Sequence, residues 1–113
     1  MIVSRKWKNM PVKENMHHLD ARDIYHDEHA QIVHLCMKPG EELVPHKTPV
    51  DVVFYVLEGR GRVYIGNEEK EVECDTLIES PKNIVHYWKN TGNEILRIMV
   101  IKIPSPIKPT AVL

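Results

Sequence analysis

Two histidines stand out among the seven of this 113-residue chain because of what surrounds them. His46 lies in PGEELVPHKTPVDVVFYVLEG (residues 39–59), and His86 lies in PKNIVHYWKN (residues 81–90). Both segments are rich in β-branched and aromatic residues and are bounded by turn residues, so each His belongs to a strand or a strand end. Imidazole titrates near neutral pH, accepts and donates hydrogen bonds, and ligates transition metals. Two imidazoles brought together from distant segments can therefore be part of a metal site, a general acid–base pair, or the polar contacts of a ligand pocket. The other candidates carry less. His17-His18 and the His26/His29 turn sit in polar sequence and are expected to be solvated. Cys36 and Cys74 are expected as thiols, and Cys74 has no neighbouring base to make it a nucleophile. No Ser/His/Asp arrangement, glycine-rich phosphate loop or Cys-x-x-Cys pair is present.

The elements that must position these residues are strands. After a polar, irregular stretch over residues 1–20, a short strand is expected over Arg22–Tyr25 and a longer one over Ala30–Met37, closed by Pro39-Gly40. Val50–Gly59 is too short and too β-branched for a helix, and hydrophobic residues on both parities imply that it is covered on both sides. Arg62–Ile65 and Lys70–Cys74 flank Gly66-Asn67 as a hairpin. Thr76–Ser80, Ile84–Lys89 and Glu94–Ile103 complete the set. Seven to nine short strands with turns between them mean an all-β sandwich or barrel. The expected organisation is an N-terminal arm or edge strand (1–20), a barrel (21–103), and a proline-rich extended tail (104–113).

Composition bounds the function. Fifteen Lys+Arg against sixteen Asp+Glu gives a net charge of -1, which argues against nucleic acid as a partner. No apolar run approaches the roughly 20 residues of a membrane span, and residues 1–10 contain no hydrophobic signal core, so a cytoplasmic location without membrane contact is expected.

The two histidine segments resemble the paired motifs of the cupins, small jelly-roll β-barrels. The first cupin motif runs Gly, five residues, His, one residue, His, three or four residues, Glu, six residues, Gly. Here Gly40, His46 and Gly59 are in register. In the second motif Pro81, His86 and Asn90 match, and residues 60–74 form a compact spacer. The resemblance spans about residues 30–103 and implies an all-β cupin jelly roll, a double-stranded β-helix. It also implies a homodimer, a small-molecule ligand, and a metal held by three His and one Glu. The departures lie in that ligand set: Thr48 replaces the second His and Val52 the Glu. In the second motif, Asp75 and Asn83 stand where glycines are usual.

Strand alternation puts Thr48, Val50, Val52, Phe54 and Val56 on the face of His46, and Trp88 and Asn90 on that of His86. Asp51, beside the missing carboxylate, falls on the opposite face. The expected ligand pocket is therefore His46, Thr48, Val52, Phe54, His86 and Trp88. His46 and His86 form only an incomplete set for a divalent transition metal (Mn, Fe, Ni or Zn), unless Glu79, His34 or Cys36 completes it. Three functions follow: a small-molecule-binding cupin without robust metal chemistry, a cupin enzyme of dioxygenase, isomerase or epimerase type, or a structural or regulatory dimeric barrel. In a metal-free enzyme, His46 or His86 would be the general base.

Overall fold

The computed structural model describes residues 1–107 and the backbone of 111–112. Ten strands form two five-stranded sheets: β1 (Asp20–His26), β2 (Gln31–Met37), β3 (His46–Lys47), β4 (Asp51–Glu58), β5 (Arg60–Ile65), β6 (Glu68–Glu73), β7 (Leu77–Ser80), β8 (His86–Lys89), β9 (Leu96–Ile103) and β10 (Ala111–Val112). One sheet has the order β1-β2-β9-β4-β7 and the other β10-β3-β8-β5-β6, with every pairing antiparallel. This is the jelly-roll, double-stranded β-helix architecture expected of the sequence.

Alternation builds the core. Val52, Phe54 and Val56 of β4 are buried while Asp51 and Glu58 at its ends are exposed. Val53, Tyr55 and Leu57 on the opposite face are only half-buried, so the second side of this strand is covered incompletely within one chain. Leu35 and Met37 from β2, Leu96 and Ile98 from β9, Val63 from β5 and Trp88 from β8 complete the interior. Burying each such side chain stabilises the fold by roughly 1.5–3 kcal/mol.

The motif turns explain two of the departures. Asp75 and Asn83 have positive φ of 62° and 60°. Asp and Asn tolerate the left-handed region better than other non-glycine residues, so they fill the glycine role without a glycine. Gly59 is not replaceable in that way. Its φ is 79°, and a Cβ there would lie 2.3 Å from the Ile95 carbonyl oxygen.

Residues 1–20 wrap the barrel. A single 3₁₀ turn, Trp7–Asn9, lays Trp7 against the outer face of the first sheet. The Trp7 indole stacks on His34, with ring centroids 3.9 Å apart and planes at 15°. Arg22 Nη1 donates to the carbonyls of Lys8 and Met10 at 2.8 and 3.1 Å and so fixes the turn. Further along, the Lys13 amide donates to the Ala21 carbonyl at 2.8 Å, which brings residues 13–17 across one end of the barrel. In the tail, residues 104–107 belong to no strand, and β10 adds to the edge of the second sheet by pairing with β3. The rest of the expected tail, 108–110 and 113, lies outside the described residues.

Candidate functional site

The short strand β3 pairs His46 with His86 on β8 in direct register. Their rings meet edge to face at 4.6 Å between centroids, and Phe54 of β4 packs on His86 at 5.3 Å. The tautomers follow from the partners. His46 Nδ1 lies 2.6 Å from the Val44 carbonyl oxygen, so that nitrogen carries the proton and Nε2 is left as a free acceptor. His86 is occupied at both ends: Nδ1 bonds Ser80 Oγ at 2.7 Å and Nε2 bonds Thr48 Oγ1 at 3.1 Å.

A third imidazole joins from residues 1–20. His17 was expected to be solvated. Instead it packs 4.9 Å from His46, while His18 next to it is exposed. The Val44 amide donates to His17 Nδ1 at 2.8 Å. The backbone of one residue, Val44, thus orients both rings: its N–H sets His17 as the Nε2–H tautomer, and its carbonyl sets His46 as the Nδ1–H tautomer. The pair presents one donor and one acceptor.

These groups line a cavity of ≈ 380 Å³ enclosed by residues from both sheets and from the arm. Its polar liners include His17, His46, His86, Thr48, Gln31 and Lys102; its apolar walls include Val52, Phe54, Leu43 and Val100. Trp88, expected as a wall, is not among the lining residues. It is fully buried behind Phe54, edge to face at 5.5 Å, as part of the core. Asn90 is also buried and structural, with Nδ2 donating to the carbonyls of Met37 and Glu94. Asp51 faces outward and accepts the Lys82 amide at 2.9 Å.

Burial sets the protonation of the site. Desolvation, reinforced by the neighbouring imidazoles and Lys102, pushes the His86 pKa down to about 3 and that of His17 to about 4. His46 is lowered by burial as well, against an opposing contribution from its bond to Val44. All three rings are neutral at pH 7. Lys102 is lowered from the usual lysine value by burial and by Lys13, with Asp23 opposing.

A metal does not fit this arrangement. Both His86 nitrogens are engaged by hydroxyl groups, and the His17 lone pair is engaged by the Val44 amide. Thr48, in place of a ligating His, serves His86 instead. That leaves His46 Nε2 as the one imidazole lone pair open to the cavity, against the three or four protein ligands that zinc takes. None of the proposed replacements reaches it. Glu79 is exposed on β7. His34 stacks under Trp7 on the outer face and accepts from Arg97 Nε at 3.0 Å. Cys36 shares that side, pairing in register with Asp20 and Arg97, and burial raises its pKa. Among the described residues, no group of three or more His, Cys, Asp or Glu is arranged to hold a metal ion.

Lys102, Gln31 and His17 are the polar liners singled out by the structure that sequence reasoning missed, along with the apolar walls Leu43 and Val100. The first two had a signal: Lys102 shares parity with Leu96, Ile98 and Val100, and Gln31 with Val33, Leu35 and Met37. His17 had none, because its position depends on the path of the arm and on the Val44 peptide.

The comparisons with known proteins agree with this architecture. Residues 33–102 match the family model described as a cupin domain. Auxin-binding protein 1 of Arabidopsis thaliana is 35% identical over 79 residues, covering 62% of this chain and 40% of that protein. The polyketide synthase CurC of Streptomyces cyaneus is 32% identical over 75 residues, covering 66% of this chain and 49% of that protein. The chain thus spans about half the length of these curated relatives. Among solved structures, the polyketide cyclase RemF from Streptomyces resistomycificus superposes over 100% of this chain and 86% of its own, with a TM-score of 0.84 at 15% identity. A double-stranded β-helix protein from Klebsiella pneumoniae superposes over 100% of both chains with a TM-score of 0.79 at 16% identity. With the paired sheets, the motif turns and the family model in agreement, the chain belongs to the cupin family.

Proposed function

We propose that this protein binds a small organic molecule in the cavity beside His46 and His86 and does so without a bound metal. The observation that carries this reading is the cavity itself: ≈ 380 Å³, walled mostly by apolar side chains, with a few convergent polar groups held in fixed tautomers. Small-ligand pockets have this size and make-up, roughly 300–1,000 Å³ with sparse, oriented polar contacts. His17 Nε2–H would donate to the ligand and His46 Nε2 would accept from it, while Val52, Phe54 and Leu43 supply contact area. Auxin-binding protein 1 is named for a small-molecule ligand, and CurC and RemF for polyketide synthesis and cyclisation. All three names support a compact organic ligand.

The test is a fragment screen by chemical-shift perturbation on isotope-labelled protein. The expected hits move the Thr48, Phe54 and Val100 resonances and are blocked in Val52→Trp, which fills the cavity. Hits that cluster elsewhere and survive Val52→Trp overturn the reading.

A catalytic version of this pocket has one specific observation in its favour. The Val44 carbonyl holds the His46 Nδ1 proton, which directs the basic Nε2 lone pair to the cavity, as a general base requires. An acidic C–H or O–H of the bound molecule would be its proton source. Exchange of such a proton with deuterated solvent, lost in His46→Gln while binding persists, separates catalysis from binding alone. A second copy of the chain is the protein partner proposed, through the half-buried face carrying Val53, Tyr55 and Leu57. Light scattering at micromolar concentration, with Tyr55→Glu as the disrupting variant, tests it.

A further inference from the structure

We propose that the pocket selects organic anions: a monocarboxylate on an apolar body, with the Lys102 ammonium as the group that reads its charge. The inference rests on the pocket reading above and names the ligand class of that same site.

Lys102 is the last inward-facing residue of β9, following Leu96, Ile98 and Val100 on the same side. Its register neighbours are Gln31 on β2 and Val52 on β4, and all three line the cavity. The other charged liners, Lys13 and Glu14, are exposed at the rim, whereas Lys102 is not exposed. Among the described residues, no carboxylate forms an ion pair with Lys102. The nearest candidate by its electrostatic influence, Asp23, is already committed. Its Oδ2 accepts from Lys13 Nζ at 3.0 Å and its Oδ1 accepts from Gln31 Nε2 at 3.0 Å.

The remaining polar groups of the cavity cannot supply the missing charge. Three imidazoles, a hydroxyl and an amide are neutral, and two of the imidazoles have their orientation fixed by the Val44 backbone. An ammonium among apolar walls is poorly solvated, and its attraction to an opposite charge is correspondingly stronger than in water. A carboxylate brought in by a ligand satisfies that charge. The His17 Nε2–H stands as a second donor to the same ligand, and Val52, Phe54 and Leu43 take its apolar body. The amide or alcohol of the same shape gains the walls but not the ion pair.

Calorimetric titration with 3-phenylpropanoate, 3-phenylpropanamide and 3-phenylpropanol, with chemical shifts read in parallel, tests this directly. On the unaltered chain the acid is expected to bind at least ~10-fold tighter than the amide. In Lys102→Met the acid loses that advantage while the amide is unchanged; in Lys102→Arg most of it survives. An amide that binds the unaltered chain as well as the acid overturns the inference and leaves the pocket reading standing, as does a Lys102→Met variant that keeps the preference. The acid-to-amide ratio on the unaltered protein needs no variant, so a folding defect in Lys102→Met does not blunt the test. If none of the three probes moves a pocket resonance, the inference fails, and the fragment screen with Val52→Trp decides the pocket reading separately.

Discussion

His86 and His34 are both buried imidazoles, one inside the barrel and one on the outer face under Trp7, 2% and 1% exposed, and burial depresses the pKa of each, to about 3 and about 4. His86 borders the cavity between the two sheets, whereas His34 lines a groove of ≈ 460 Å³ on the outer face, beneath residues 5–8. His34 is sandwiched: Trp7 covers one face, Arg97 donates to Nε2, and Nδ1 is buried with no hydrogen-bond partner. Arg97 and Arg22 both lie over the Trp7 ring, at 5.3 and 5.1 Å, so His34 works as a platform that clamps the arm to the sheet. His86 instead has both nitrogens satisfied and sits beside open space. A perturbed pKa therefore does not locate the site in this protein; enclosure between the two sheets does.

The sharpest way to separate the two regions is to delete the rings. His86→Ala strips the buried Thr48 and Ser80 hydroxyls of their partner and enlarges the cavity, which should cost about 2–4 kcal/mol of stability. It should also weaken any pocket ligand. Trp7→Ala removes the cover of His34 and should cost about 1–2 kcal/mol, with ligand affinity unchanged. Urea denaturation with a bound-ligand titration on each variant checks both halves. A loss of affinity in Trp7→Ala would show that the outer clamp and the pocket are coupled.

Acid offers a second handle of comparable size. Histidines whose folded pKa lies below the ordinary 6.5 bind protons more readily in the unfolded chain. Their contribution is fully present above about pH 6.5 and is lost as pH falls toward the folded values, about 3 for His86 and about 4 for His34. Each fully coupled histidine tilts stability by about 1.4 kcal/mol per pH unit within that window. Unfolding free energies measured between pH 7 and pH 4.5 should therefore fall with acid, and His34→Gln should remove about one proton from the slope. An unchanged slope in that variant would place the proton uptake in the cavity group alone.

How much of this was legible in the sequence differs between the two regions for physical reasons. Alternation over residues 51–58 told which face of β4 points inward, and it correctly turned Asp51 outward, because a half-buried strand has period two. The same rule read too generously at Trp88. Facing inward put it in the interior, but Phe54 stands between it and the cavity, a packing fact that parity does not carry. Lys102 was legible by parity and was overlooked because a charge at a strand end reads as solvated. His17 and the Trp7–His34 stack were not legible. Both depend on where the arm travels, and that is decided by the Arg22 contacts and the Val44 peptide, which lie far from them in sequence. The pairing of β10 with β3 is likewise a tertiary choice of a segment whose prolines only forbid helix.

Removing the buried charge should have a smaller effect and the opposite sign. Lys102→Met keeps most of the length of the side chain and deletes an ammonium that has no ion-pair partner among the described residues, so the unliganded protein should gain about 1 kcal/mol. A rise of a few degrees in Tm is the expected reading. A fall would mean that Lys102 is paired in the free protein, and that the cavity has less unspent charge than its contrast with the His34 clamp implies.

The smallest expected effect is none at all. If hydroxyl groups and a backbone amide hold the inner imidazoles, then a chelator such as EDTA should leave the melting temperature unchanged, and added Zn²⁺ or Mn²⁺ should shift it by less than about one degree. A metal that bound the folded state at 100 times its dissociation constant would stabilise it by about 2.7 kcal/mol, a shift too large to miss. Elemental analysis of untagged protein gives the same answer by a separate route, with transition metal expected well below one equivalent. Stoichiometric metal, lost in His46→Ala and His86→Ala but kept in Thr48→Ala, would mean that Thr48 releases His86 for ligation. The hydroxyl that marks this chain's departure from the family's ligand set would then be a ligand gate instead of a replacement.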